Sequence, residues 1–212
     1  MKCVGVLALQ GAYAEHFKII QQCVEVYKYD IEITTVKNES ELARCDALII
    51  PGGESTSISL ISQRTGIFQA LVNFVNDPSK SVWGTCAGLI FLAKNVKNTP
   101  ELVTTLDVLN VKVVRNAFGR QAQSFIKSCD FSSFIPNCTD FSAVFIRAPI
   151  IESILNLESE NEDNNIRVLY KLDNGSIVAV SQGNRILATS FHPELAEGDI
   201  RFHNWFLTEY VL

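Results

Sequence analysis

Residues 3–9 run CVGVLAL, an apolar stretch too short for a helix and ended by Gln10-Gly11, and this pattern predicts a buried strand. The period then changes. Phe17, Ile20, Cys23 or Val24, and Tyr27 recur every three or four positions, which predicts an amphipathic helix over 14–27. Strand-like runs follow at 31–36 (IEITTV) and 47–50 (ALII), separated by a short helical piece around 40–44. Helical spacing over 55–74, a short buried strand at 81–83 and a helix from 87 to 93 complete the first hundred residues. Apolar strands alternating with helices predict a parallel sheet covered on both faces.

The second half carries strand patterns at 108–114, 124–126, 143–146, 167–172, 177–181 and 186–190. Asp173-Asn174-Gly175 and Gln182-Gly183-Asn184 separate the last three as tight turns, which predicts antiparallel pairing there. A helical segment over 199–210 closes the pattern, with Ile200, Trp205 or Phe206, and Tyr210 on its sheet-facing side. The expected fold class is therefore α/β: three layers, a mostly parallel central sheet with helices on both faces, and antiparallel strands in the second half. The charged run at 158–165 reads as a solvated loop. Nothing in the pattern marks a domain cut, so residues 1–212 are expected to form a single domain.

With 47% hydrophobic residues the chain can bury a large core, which excludes a disordered or fibrous protein. Its formal charge of −5 offers no positive field for a nucleic acid backbone or an anionic membrane. The expected partners are thus small molecules or proteins. The six cysteines include no C-x-x-C pair and no histidine pair nearby, so neither a zinc site nor any other metal is expected. The N-terminal pattern is not that of a secretory signal, and no apolar run reaches membrane-spanning length. A cytoplasmic protein with reduced thiols is expected.

Gln10-Gly11, Pro51-Gly52-Gly53 and Gly84-Thr85-Cys86 all fall at predicted strand C-termini, where open parallel sheets gather their reactive groups. Gly84-Thr85-Cys86-Ala87-Gly88 lies between a strand and a helix. Glycines two residues either side of a nucleophile allow a sharp turn, and the helix N-terminus beyond supplies amide donors and partial positive charge. Alone, the pattern reads equally as a buried structural cysteine between packing glycines. Ser190-Phe191-His192-Pro193-Glu194 changes that balance. If Pro193 holds the chain extended, His192 and Glu194 project to one side, giving a base and a carboxylate to orient it. Cys86, His192 and Glu194 then form a candidate triad, with the Gly53 and Ala87 amides as candidate oxyanion donors. His16 and His203 read as surface or packing residues, although His16 lies close enough to Gly11 to border the crevice. Ser55 or Thr56 is the expected N-cap of the helix that follows the glycine turn.

These residues carry a resemblance. G-T-C-A-G around Cys86, P-G-G-E-S-T at 51–56 and His192-Pro193-Glu194 resemble the class I, or triad, glutamine amidotransferases, whose fold is flavodoxin-like. VLALQG (6–11), WGTCAGL (83–89), RNAFGRQ (115–121), SF (124–125), FIRAP (145–149) and SFHPEL (190–195) narrow this to the glutaminase-subunit family of pyridoxal 5′-phosphate synthases. The resemblance implies hydrolysis of L-glutamine to glutamate and ammonia, with no cofactor, and delivery of ammonia to a (β/α)8-barrel synthase subunit that builds the vitamin B6 ring. It also implies glutamine contacts at Gly52, Gly53, Glu54, Arg115, Ile146 and Arg147, and a role for Gln10 in setting the oxyanion hole when the synthase docks. By charge, Arg115 and Arg147 suit the substrate carboxylate and Glu54 its ammonium, whereas an isolated arginine reads as a structural ion pair. Two other functions fit parts of the pattern: a hydrolase with another acceptor, and a catalytically silent regulatory module.

Overall fold

The computed structural model describes residues 1–98, 100, 103–117, 124–155 and 165–212. Parts of the 115–121 block and nearly all of the charged 158–165 run lie outside these residues.

The first half alternates as its hydrophobic period demands: β1 (Lys2–Leu7), α1 (Tyr13–Tyr27), β2 (Ile31–Val36), α2 (Glu39–Leu42), β3 (Ala47–Ile50), α3 (Ser55–Arg64), α4 (Phe68–Asn76), β4 (Ser81–Thr85) and α5 (Ala87–Leu92). The second half contributes β5 (Ala93–Lys97), β6 (Leu109–Val114), β7 (Ser124–Cys129), β8 (Phe141–Ile146), β9 (Ile150–Ile154), β10 (Ile166–Lys171), β11 (Ile177–Gln182), β12 (Ile186–Thr189) and α6 (Arg201–Phe206), which continues as a π-helical turn over Leu207–Val211. Among the described residues the large sheet has the order β2-β1-β3-β4-β12-β11-β9-β6-β5, with β10 also paired to β11, and β7-β8 form a separate hairpin. The first five strands in that order are mutually parallel, and β12-β11, β11-β9 and β9-β6 are antiparallel. The expected α/β class is thus observed, including the antiparallel strands. No helix among the described residues is long and apolar enough to cross a membrane.

Alternation along the strands sorts side chains between two cores. Val4, Val6, Ala47 and Ile49 face one, with Ile20 of α1, Phe202 and Phe206 of α6 and Phe145 of β8. Leu7, Leu48 and Ile50 face the other, with Ile58, Leu71 and Phe91 from α3, α4 and α5. Period-2 strands between period-3.6 helices leave both faces apolar, and the three layers follow from burying them.

Three expectations change. The helix predicted over 55–74 is two helices: α3 ends where the Thr65 hydroxyl donates back to the Ile61 carbonyl at 2.8 Å, and Phe68 opens α4. Strands β5 and β9 carry no predictive pattern. They are five residues each, with only three non-exposed positions apiece, too few to establish a period. Finally, Pro193–Leu195 is a 3-10 turn and not an extended segment, because the 192 carbonyl accepts from the Leu195 amide at 3.1 Å.

Candidate active site

Cys86 stands at the corner between β4 and α5 with φ 48° and ψ −99°, a conformation that costs a non-glycine residue on the order of 1–3 kcal/mol. Its amide donates to the Thr189 carbonyl at 2.8 Å, which fixes the corner to the end of β12. Gly88 lets α5 approach β3: a Cβ there would lie 2.0 Å from the Ile50 carbonyl oxygen. The sharp turn expected of G-T-C-A-G is therefore realised by contact of main chain on main chain. Ala87 is buried at the first position of α5, where helix amides lack intrahelical acceptors.

Opposite the corner, the His192 amide donates to the Val144 carbonyl at 2.7 Å, a bridge that ties the 192 segment to β8. The His192 ring adjoins Cys86, both meeting the space a Cβ on Gly52 would fill, and its Nδ1 lies 2.7 Å from Glu194 Oε1. The 3-10 turn supplies this proximity. Gly52 presses against the pair, since a Cβ at that position would fall 2.4 Å from His192 Cε1 and 3.3 Å from Cys86 Cβ. Burial opposes charge on the His192 ring, but the neighbouring Cys86 and Glu194 together outweigh it and push its pKa up to about 10. Glu194, whose side chain is fully buried, is likewise opposed by desolvation yet held well below the carboxylate range by His16 and His192. The geometry places the proton on the imidazole, between a sulfur and a carboxylate.

This pair opens into a cavity of about 290 Å³ lined by Gly53, Glu54, Ser55, Cys86, Ile90, Arg115, Asn116, Ile146, Arg147 and His192. That is the lower end of the roughly 300–1,000 Å³ usual for ligand pockets, and it suits a metabolite of amino-acid size. The Ile146 carbonyl oxygen is 3.9 Å from Cys86 Sγ, and the exposed Arg147 follows it with φ 45°. Arg115 reaches toward Glu54, its Nη2 3.5 Å from Oε1, so the ion pair anticipated for an isolated arginine exists, and it exists on the wall of the cavity. Gln10 accepts from the Glu54 amide at 3.0 Å, while its buried Nε2 has no partner among the described residues.

The SNO glutamine amidotransferase family model matches residues 6–212. The chain belongs to that family. Among relatives of this SNO-family chain, the probable pyridoxal 5′-phosphate synthase subunit SNO3 of Saccharomyces cerevisiae is 56% identical over 99% of the chain and 96% of its own length. The pyridoxal 5′-phosphate synthase subunit PdxT of Dehalococcoides mccartyi is 41% identical, with coverage of 96% and 95%. A solved structure described as that of a glutamine amidotransferase superposes with a TM-score of 0.77 at 38% identity, covering 97% of each chain.

The SNO-family chain thus brings Cys86, His192, Gly53, Glu54, Arg115, Ile146 and Arg147 to one cavity, with Gly52 and Glu194 packed against the histidine ring. Asn116, at φ 51°, joins the cavity without having been anticipated, although it lies within the 115–121 block. His16 and His203 are both completely buried, so the surface reading of either fails; the phase of α1 places His16 inward with Ile19, Ile20 and Cys23.

The helix cap is also reassigned. Glu54, not Ser55 or Thr56, caps α3: its two oxygens accept from the Thr56 amide at 3.0 Å and the Ser57 amide at 2.7 Å. A carboxylate one residue before the helix reaches both amides at once, which a hydroxyl cannot do. Burial is the largest single influence on Glu54 and raises its pKa, but the Thr56 and Ser57 hydrogen bonds together outweigh it and lower it. E54A is expected to cost about 1 kcal/mol at neutral pH. Because the folded pKa is depressed, this contribution is complete above the ordinary carboxylate value and disappears as pH falls through the folded one. Thermal melts of wild type and E54A should therefore converge on acidification; a gap that widens at low pH would reject the cap.

Proposed function

We propose that this SNO-family chain hydrolyses L-glutamine to L-glutamate and ammonia through a thioester on Cys86 and passes the ammonia to a (β/α)8-barrel synthase subunit that makes pyridoxal 5′-phosphate. The observation that carries the reading is the Cys86, His192 and Glu194 alignment at the mouth of a cavity bearing Glu54, Arg115 and Arg147.

The Cys86 sulfur attacks the side-chain amide carbon, and the amide oxygen gains charge as the carbon becomes tetrahedral. The Gly53 and Ala87 amides stabilise that oxyanion, with Gln10 supporting the Gly53 turn. As the tetrahedral centre collapses, the C–N bond breaks and the His192 imidazolium gives its proton to the departing nitrogen, which leaves as ammonia. Water then attacks the thioester while His192 takes its proton, the C–S bond breaks, and the imidazolium faces the sulfur again. Glu194 keeps the ring oriented throughout.

Gly52, Gly53, Glu54, Arg115, Ile146 and Arg147 hold the substrate, the arginines toward its α-carboxylate and Glu54 toward its α-ammonium, with Ile146 acting through its carbonyl. Residues 1–212 act as one glutaminase domain in the cytoplasm, a setting supported by six free cysteines.

Mixing the purified chain, its synthase partner and L-glutamine should yield glutamate, read by a coupled glutamate dehydrogenase assay. Absence of release with the partner present would sink the reading.

A further inference from the structure

All three histidines of the chain lie in one buried row with Glu194. Glu194 Oε1 is 2.7 Å from His192 Nδ1, and its Oε2 is 3.2 Å from His16 Nε2. His16 Nδ1 is in turn 2.9 Å from His203 Nε2. The side chains of His16 and Glu194 are entirely buried, and His203 of α6 is buried as well. His16 does not line the substrate cavity, so the reaction as derived above leaves this row without a use.

We propose that His16 is a positioning residue for the glutaminase reaction: it sets a protonated Nε2 against Glu194 Oε2 as an ionic neighbour, and His203 Nε2–H donating to His16 Nδ1 fixes the tautomer that makes this possible. The inference rests on the functional reading above and deepens it.

Charge and hydrogen-bond inventory assign the direction of each bond. An ionised carboxylate accepts only, so the ring nitrogen 3.2 Å from Oε2 must bear a proton; a bare Nε2 would set one lone pair against another. A neutral His16 then has a bare Nδ1, which needs a donor, and His203 Nε2 is the group in reach. That leaves His203 Nδ1 bare, and it is indeed the buried ring nitrogen without a partner among the described residues. Burial also drives His203 well below its ordinary pKa, so the ring stays neutral, as a one-donor role requires. Thr85 Oγ1, 3.3 Å from His16 Nε2, takes the hydrogen bond of this proton, while Glu194 Oε2 keeps it as an ionic neighbour without a hydrogen bond among the described residues. The row therefore runs one way, from α6 through α1 to the carboxylate, and Glu194 has a ring nitrogen against each oxygen, hydrogen-bonded at Oε1 and in ionic contact at Oε2.

Glu194 meets His192 on its own segment and His16 from α1, with His203 of α6 beyond His16 and Cys86 beyond His192. Glu15, Lys18 and Glu197 line an outer cavity against its backbone. Removing the His16 donor leaves the His192 contact in place but lets the carboxyl pKa climb, so activity should fail at a higher pH on the acid side.

The first test uses unaltered protein. Long-range 1H–15N spectra of the imidazoles should show His16 and His203 both protonated at Nε2; a bare His16 Nε2 overturns the proposal. The second compares H16L with H16Q, whose amide can return a donor near the Nε2 position. In the presence of the synthase, H16L should lose on the order of 10- to 100-fold in kcat, the range typical when the partner of a working ligand is removed. Its KM for glutamine should stay near wild type and its acid limb should move to higher pH, with H16Q recovering most of both. An unmoved pH profile in H16L, or a defect confined to KM, also overturns it. If wild type releases no glutamate, the functional reading falls, while the tautomer spectra still decide the hydrogen bond.

Discussion

C86A should abolish glutamate release, by about 10⁴-fold or more, while leaving the melting temperature close to wild type. Loss of a nucleophile removes the covalent route outright, and the remaining groups act as a unit that gives little without it. The substitution deletes one sulfur from a position whose backbone is fixed by Thr189 and α5, so the fold has little reason to respond. The same logic predicts selectivity. A glutamine-like chloroketone should label Cys86 and spare the other five thiols. Burial pushes Cys23 and Cys45 up to about 12 and Cys138 to about 11, and raises Cys3 and Cys129 as well. Only Cys86 among the six lines the substrate cavity and faces an imidazolium. Mass mapping of the label to Cys23 or Cys45, or residual release by C86A, would reject the assignment.

G88A should be among the most damaging single methyls. The added carbon would sit 2.0 Å from the Ile50 carbonyl oxygen and 2.9 Å from its carbon, and both belong to main chain that cannot rotate away. Relief requires lifting α5 from β3, so the cost should reach about 3 kcal/mol, the upper part of the overpacking range. For a chain of this size that lowers Tm by roughly 6–12 °C. Lifting α5 also shifts the Ala87 amide, so surviving folded protein should be slow. A G88A protein melting within about 2 °C of wild type would show that the close approach is dispensable.

How much of this is legible in the amino-acid order differs between the halves. In the parallel half the apolar runs are continuous and the reactive residues stand at strand ends, so hydrophobic period and turn residues suffice to place Gln10, Gly52, Gly53 and Cys86 at one crevice. The family resemblance adds the Arg115 and Arg147 contacts. What stays hidden depends on rotation and on partners across space. His16 shares the inward face of α1 with Ile20 and Cys23, so its burial follows the helical spacing, but its packing against Trp83 and His203, far away in the chain, is what no spacing rule encodes. The Glu54 cap escapes a reading by residue preference because short hydroxyls are the favoured caps, while here a longer carboxylate serves two amides. Pro193 suggests extension, yet the local turn bonds of residues 192–196 decide the geometry.

The staple between His192 and Val144 and that between Cys86 and Thr189 have a consequence for biosynthesis. The sulfur precedes its ring by 106 positions (192 − 86), and each depends on a strand made later or far away. A ribosome therefore releases the thiol-bearing corner well before anything can face it, and a growing chain is chemically idle until its last strands close.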